Sequence, residues 1–342
     1  MANHRGALAS LVAALLLSST AMAEVGLLDF NHTKFGQAGM KFLQVGVSAR
    51  AEAMGGAATG LEMGAASMFY NPAGMANTVG DMGDVFVSNT TWIADMSVVA
   101  AAAAYNTQWL TVGVSFMSLD YGDVPGRRMT AAGGVEETGN IDLASSAIGI
   151  GLAKMVTNKF QVGLTARLVS EDLGGSDVEN AKESVVSWDA GTLYRTGLGS
   201  SVLSMSIRNF SREAKHQAGG YDLPLIFRIG VAMDLLNADV AQAGPHGLLL
   251  SLDALHPRDR AEEALVGLEY SLNDMVFVRG ATRIGHDYTG ADLDQPVGLS
   301  LASIGAGVRY QLGPTDLSVN YAWSDQGELL GGVQRFDVQV GF

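Results

Sequence analysis

Cysteine is absent from the 342 residues. Disulfide staples and thiolate metal sites are thereby excluded. Charge is scarce as well: Asp, Glu, Lys and Arg make up 16% of the chain, although the formal net charge reaches -14. A soluble globular chain ordinarily carries about a quarter charged residues, so much of this surface is not composed to face water. Clusters of Lys and Arg are missing, which argues against binding to nucleic acid, where phosphates must be neutralised. Past the N-terminus no apolar run approaches the roughly 20 residues of a spanning helix. The nearest is Val98 to Ala104.

What is present begins with a leader. Met1 to Arg5 is positive, Ala7 to Leu17 is apolar, and Ala21-Met22-Ala23 offers small residues for cleavage, so residues 1–23 read as a signal peptide and Glu24 as the mature start. A retained anchor would need a longer apolar run. An exported chain without spanning helices is either soluble or an outer-membrane barrel.

Period-two alternation recurs along the rest. Phe160, Val162, Leu164, Ala166 and Leu168 share one face against Gln161, Gly163, Thr165 and Arg167. The pattern returns from Phe227 to Asp234, Val266 to Asn273, Ile304 to Leu312 and Leu317 to Trp323. It places strands near 83–91, 96–105, 109–119, 142–155, 160–171, 184–195, 200–209, 225–234, 246–255, 264–272, 276–286, 303–312, 315–323 and 332–342. Alternation alone fits a soluble sandwich too. Loop lengths decide: tight connectors such as Asn106-Thr107-Gln108, Thr157-Asn158-Lys159 and Gly313-Pro314 alternate with long ones such as Asp120 to Ile141 and Asp172 to Glu183. That is the short-turn, long-loop pattern of outer-membrane barrels; Leu235 to Pro245 is overlong for the short side. Aromatics gather near strand ends (Trp92, Tyr105, Trp109, Phe160, Tyr194, Tyr270, Tyr310, Trp323), where interfacial girdles lie. The fold class expected is all-β: a closed antiparallel transmembrane β-barrel of about 14 strands over 83–342, with residues 24–82 as a hatch inside the lumen.

If the phase is right, Arg167, Asp189, Arg208, Arg228, Asp253, Glu269, Arg279, Arg283 and Arg309 face the lumen, because Arg at mid-depth on the lipid face costs about 2–4 kcal/mol. They line either a polar path and docking surface for the hatch or a mixed-sign network filling the interior. Chemistry is otherwise sparse. There is no Gly-x-Ser-x-Gly elbow, Gly149/Gly151 and Gly305/Gly307 suit lumen-facing strand positions better than phosphate loops, and the six His show no metal-ligand spacing. No catalytic residue, metal site or cofactor is expected. An embedded hydrolase would need Ser or Asp to meet His at one rim.

The hatch carries two blocks, Phe42 to Ala57 and Ala65 to Met75. Arg50 beside Gly55-Gly56 could hold a carboxylate or pair with a lumen acid. Asn71-Pro72-Ala73-Gly74 suits a turn that either gates or stabilises the plug: Pro72 fixes φ, Gly74 admits unusual dihedrals and Asn71 bonds nearby backbone. Both blocks, with Thr91 to Met96 and Leu119 to Asp123, resemble the N-terminal region of the PorV/PorQ family within the FadL-like group of outer-membrane barrels. The closing strand, with Phe336, Val338, Val340 and Phe342 alternating to a terminal Phe, resembles the recognition strand of outer-membrane proteins. The resemblance implies lipid and the barrel-assembly machinery as partners. It further implies either type IX secretion, with cargo proteins and other secretion components as partners, or FadL-like passage of a hydrophobic small molecule such as a long-chain fatty acid. A transporter should show an apolar pocket by the hatch and a lateral opening; a cargo binder should show a large apolar patch on the outer loops.

Overall fold

A computed structural model describes residues 38–131, 133–174, 182–216, 219–237, 244–285, 298–327 and 330–342. The expected leader, 1–23, and the first hatch residues, 24–37, lie outside them.

The barrel wall is built from strands whose side chains alternate between two surroundings. Its first half is β1 (Gly83–Thr91), β2 (Ser97–Asn106), β3 (Thr111–Asp120), β6 (Ala144–Thr157), β7 (Phe160–Asp172), β8 (Lys182–Arg195) and β9 (Val202–Ser211). The second half is β12 (Ile226–Asp234), β13 (His246–Pro257), β14 (Glu263–Leu272), β15 (Val276–Gly285), β16 (Gly298–Leu312), β17 (Thr315–Asp325) and β18 (Gly332–Gly341). Each pairs antiparallel with its neighbours, and β18 returns to β1 from Asp84↔Gly341 to Thr91↔Gln334, closing a 14-stranded barrel with no free edge. The closure is reinforced at the end: Met82 and Gly83 donate their amides to the Phe342 carbonyl, and Phe342 donates to Gly83.

On the outer surface Ile148, Ile150, Leu164, Leu168, Ile229, Val278, Ile304, Val308 and Phe336 are exposed. Such a continuous apolar coat is stable against lipid tails and not against water. Tyr105, Trp109, Tyr194, Tyr270 and Tyr310 stand exposed around the short-turn end. Trp92 departs from the girdle expected of it. It packs against the interior, under the Arg335 guanidinium at 5.6 Å, because β1 ends one residue earlier and the chain turns inward over the lumen.

Two long connectors hold hairpins that alternation did not reveal: β4 (Pro125–Met129) with β5 (Val135–Asn140), and β10 (Ala214–His216) with β11 (Gly219–Tyr221). β5 is exposed at every position, so a hairpin standing in water leaves no apolar face in the sequence. β16 starts at Gly298, five residues before the expected 303.

Inside lies the segment from Gly39 to Met82. It contains one helix, α1 (Ala49–Ala53), and three short 3-10 turns at Lys41–Gln44, Gly64–Phe69 and Pro72–Ala76. From Phe42 to Met75 its side chains are almost all buried. The lumen is therefore plugged, and the wall facing the plug is not uniformly polar: Phe86, Val98, Met117, Val169 and Val185 also point inward and are buried.

Candidate functional site

A plug with so little regular structure leaves many backbone N–H and C=O groups without partners of its own, and burial makes each of them costly. The wall supplies the partners. Arg335 Nε donates to the Gly46 carbonyl (2.7 Å), Arg228 Nη1 to Gly56 (3.0 Å), Arg283 Nε to Gly55 (3.2 Å) and Arg208 Nη2 to Leu43 (3.5 Å). Carboxylates accept the amides: Asp337 from Ala49 (2.6 Å), Asp253 from Thr59 (3.0 Å) and Asp84 from Ala65 (2.9 Å). Asp337 also accepts from Ser48 Oγ at 3.2 Å, so it caps the start of α1 together with Ser48 itself.

Charged pairs tie the same elements. Arg50 meets Glu269 in a two-pronged contact (Nε–Oε2 2.9 Å, Nη2–Oε1 2.7 Å), and Arg279 holds the other side of that carboxylate at 2.6 Å. Arg279 bonds Asn320 at 2.9 Å and Asn320 bonds Asp337 at 2.8 Å, which joins the Arg50 pair to the α1 cap. Glu52 lies between Arg283 (3.5 Å) and Arg335 (3.7 Å) and accepts from Tyr70 Oη at 3.3 Å. Burial, with Glu52 beside it, raises the Tyr70 hydroxyl far above its ordinary pKa and keeps it a donor.

Backbone seats complete the fit. A Cβ at Gly163 would stand 2.2 Å from the Pro72 carbonyl carbon, and one at Gly191, its cross-strand partner, 1.8 Å from Asn71 Oδ1. Gly305 makes room for Ala53 and Gly267 for Met54. Asn71 accepts from Ala73 N at 3.1 Å and donates to the carbonyls of Thr59 (2.8 Å) and Thr192 (3.1 Å), fastening the turn to β8. Gly55 and Gly56 occupy the left-handed region (φ 68° and 83°). Gly74 does not. Its requirement is space, since a Cβ there would lie 2.7 Å from Ser67 Oγ, not the dihedral freedom expected of it.

The interface divides into two sectors. From β12 to β18 the plug is held by the ions just described. Arg208 on β9, Asp84 on β1 and Arg195 on β8, which pairs with Glu62 at 2.5 Å, add isolated polar holds; the rest of the β1 to β8 side packs, with Met40, Met63, Met68 and Met75 joining Phe69, Val98, Ala100, Ala102, Ala104, Met117, Ala147 and Ala153 in one buried cluster. Both thioethers of Met68 and Met75 lie over Gly113 and Gly151, themselves cross-strand partners. Trp92, Met96 and Tyr121 border this cluster at the long-loop end. The Lys41 ammonium pairs with Asp259, and Arg260 reaches Gln44 at 2.9 Å, so the β13–β14 loop clasps the plug on the opposite side of the same end. Under α1, at the short-turn end, a cavity of ≈ 310 Å³ is lined by Arg50, Glu269, Arg279, Arg309, Asn320 and Asp337 among others.

Of the nine charges expected to face the lumen, Arg167, Asp189, Arg208, Arg228, Asp253, Glu269 and Arg279 are buried inside. Arg167 and Asp189 pair with each other, with Asn209 accepting from Arg167 at 3.0 Å, so they fix a wall irregularity and do not touch the plug. Arg283 reaches α1's neighbourhood, while Arg309 stays near the short-turn rim beside Asp316 (3.4 Å). Asp84, Glu52, Tyr70, Arg335, Asp337 and Gln339, which also donates to the Met63 carbonyl at 2.9 Å, were not singled out from the sequence. Arg335, Asp337 and Gln339 were nonetheless legible as the polar face alternating with Phe336, Val338 and Val340. Among the described residues no group of three His, Asp or Glu stands close enough to hold a metal ion.

No family model matches the sequence, and no curated protein does. Solved structures do match. The Ralstonia pickettii toluene transporter TbuX aligns with TM-score 0.55 at 13% identity over 86% of this chain and 97% of its own. The Pseudomonas putida toluene transporter TodX gives 0.55 at 11% over 86% and 96%, and a Pseudomonas aeruginosa FadL homologue 0.50 at 12% over 86% and 97%. The chain has the FadL-like outer-membrane β-barrel fold, of 14 strands with an N-terminal segment before the barrel.

Proposed function

We propose that this chain is an outer-membrane channel for small hydrophobic solutes, exported by its leader, in which the plug yields along its methionine face. The observation that carries the reading is the contrast between sectors. Ion pairs with fixed geometry hold one side of the plug, while on the other, between the Asp84 and Arg195–Glu62 contacts, it rests on thioethers against Ala and Gly. Methionine is flexible and polarisable, so this side can re-pack around an apolar guest without stranding a buried charge. Trp92, Met96 and Tyr121 mark an apolar entrance to it. That the structural relatives include proteins described as toluene transporters supports the reading at the level of fold. The test is uptake of radiolabelled toluene and of a labelled long-chain fatty acid by cells with and without the chain. Equal uptake of both would sink the proposal.

A second reading, binding and surface presentation of secreted cargo with other type IX components, is favoured by the sequence blocks in residues 42–57 and 65–75. Among the described residues of the outer loops, Met129, Val135 and Ile141 form the exposed apolar group of the β4–β5 hairpin, a modest patch for a protein ligand. Loss of surface proteins with unchanged solute uptake on removal of the chain would favour this reading over the first.

A further inference from the structure

One departure from a smooth wall lies between β8 and β9. Their register shifts between Trp188 and Ala190, Asn209 sits at φ 62°, and β9 leaves β12 after the Arg208↔Ile226 pair. The bulge is held from inside: Asp189 accepts the Asn209 amide at 2.8 Å, and Asn209 Nδ2 donates to the Pro224 carbonyl at 2.9 Å. Bulges re-aim side chains, and here the effect shows on the lipid side. A groove of ≈ 680 Å³ opens there, lined by Leu168, Val186, Trp188, Phe210, Ser184, Ser211 and Arg212.

The groove is layered along the membrane normal. β7 rises to, and β8 descends from, the long-loop end, so the order from the bilayer outward can be read from the pairing. Trp188 opposite Phe210 and Leu168 opposite Val186 form an apolar slot. Ser184 lies opposite Ser170, their hydroxyls 3.0 Å apart. Arg212 follows the last β9 pair, Ser187↔Ser211, and so comes level with Val186 beside the slot, while Lys182 stands two residues beyond Ser184, across from Asp172; both cations are exposed. An apolar slot edged by a long guanidinium side chain that can reach outward, with hydroxyls and then an ammonium beyond it, matches an acyl chain ending in a phosphorylated headgroup, for which guanidinium is a strong partner. The geometry points to a binding site for the phosphorylated acyl glycolipid of the outer leaflet, on the β7–β9 face. This goes beyond the channel reading and does not depend on it.

The experiment uses the full chain purified in detergent, with native mass spectrometry counting retained glycolipid. Purified lipopolysaccharide is compared with its enzymatically dephosphorylated form and with phosphatidylcholine. Expected is saturable retention of the phosphorylated form, at least tenfold weaker for the dephosphorylated form and for Arg212→Glu with Lys182→Glu. Arg128→Glu, on the β4–β5 hairpin, should retain the lipid like the original chain. Heat-modifiable gel migration checks that each variant is folded; if the double reversal is not, Arg212→Ala and Trp188→Ser carry the comparison. Equal binding of the dephosphorylated lipid, unchanged binding by the folded groove variants, or an equal loss with Arg128→Glu would overturn the site.

Discussion

At the scale of single residues, the plug is positioned by contacts that tolerate almost no added volume. Gly163 and Gly191 face each other across β7 and β8 and let the Asn71-Pro72 turn lie against the wall. Gly163→Val must move that turn, because the obstacle is plug backbone and not the end of a flexible side chain. The barrel pairing is untouched, so the variant should assemble and keep its folded gel band while its ion conductance in a planar bilayer rises. A conductance like that of the original chain would mean that the turn has other room to settle. Glu269 makes a different case. It neutralises both Arg50 and Arg279, and removing one partner of a buried ionic group costs about 3–5 kcal/mol. Glu269→Ala should therefore lower the temperature at which the folded band is lost, and by more than Arg50→Ala, which leaves Arg279 still paired.

Among elements, α1 depends most on its ionic contacts to stay in place. It is five residues long, seated on Gly305 and Ala322, capped by Asp337 and tethered through Gly46 to Arg335. The cavity of ≈ 310 Å³ lies directly beneath it, and a short helix has little intrinsic stability to resist displacement. Because the chain has no cysteine, a lock can be placed without interference. Cysteines at Ala49 and Ala322, members of one packed cluster, should form a disulfide on oxidation. Solute uptake should be the same oxidised and reduced, because the yielding methionine face lies on the other side of the plug; uptake that fell on oxidation and returned with reductant would put α1 in the path. The strands around this element were readable because a wall between lipid and lumen imposes opposite demands on alternate residues, and Phe160 to Leu168 show it plainly. α1's course was not readable, since Ala49 to Ala53 and the turns after it have no period, and the wall partners of Ala49 and Arg50 are more than 200 positions away. Alternation placed Glu269 and Arg279 inside, but only packing selects Arg50 as the second cation on Glu269. The β4–β5 and β10–β11 hairpins escaped for the converse reason: water on both faces writes no pattern.

For the whole molecule, wall and plug differ in what they need from each other. Every strand finds its hydrogen bonds in its neighbours, and closure depends on the β1–β18 pairing, to which the inner segment adds the Met82 amide at its very end. The plug, by contrast, satisfies its backbone through Arg208, Arg228, Arg283, Arg335, Asp84, Asp253 and Asp337. Take the plug away and those side chains face a lumen that water can enter, where hydration replaces the lost partners at small cost. A chain lacking residues 40–76 should therefore still insert and show heat-modifiable migration, with a lower unfolding temperature from the lost packing and a large, steady conductance. If the shortened chain failed to form a barrel at all, the dependence would run the other way, with the plug acting as the core on which the wall is assembled, and the apolar cluster of Met68, Met75 and Val98 would belong to folding and not to passage.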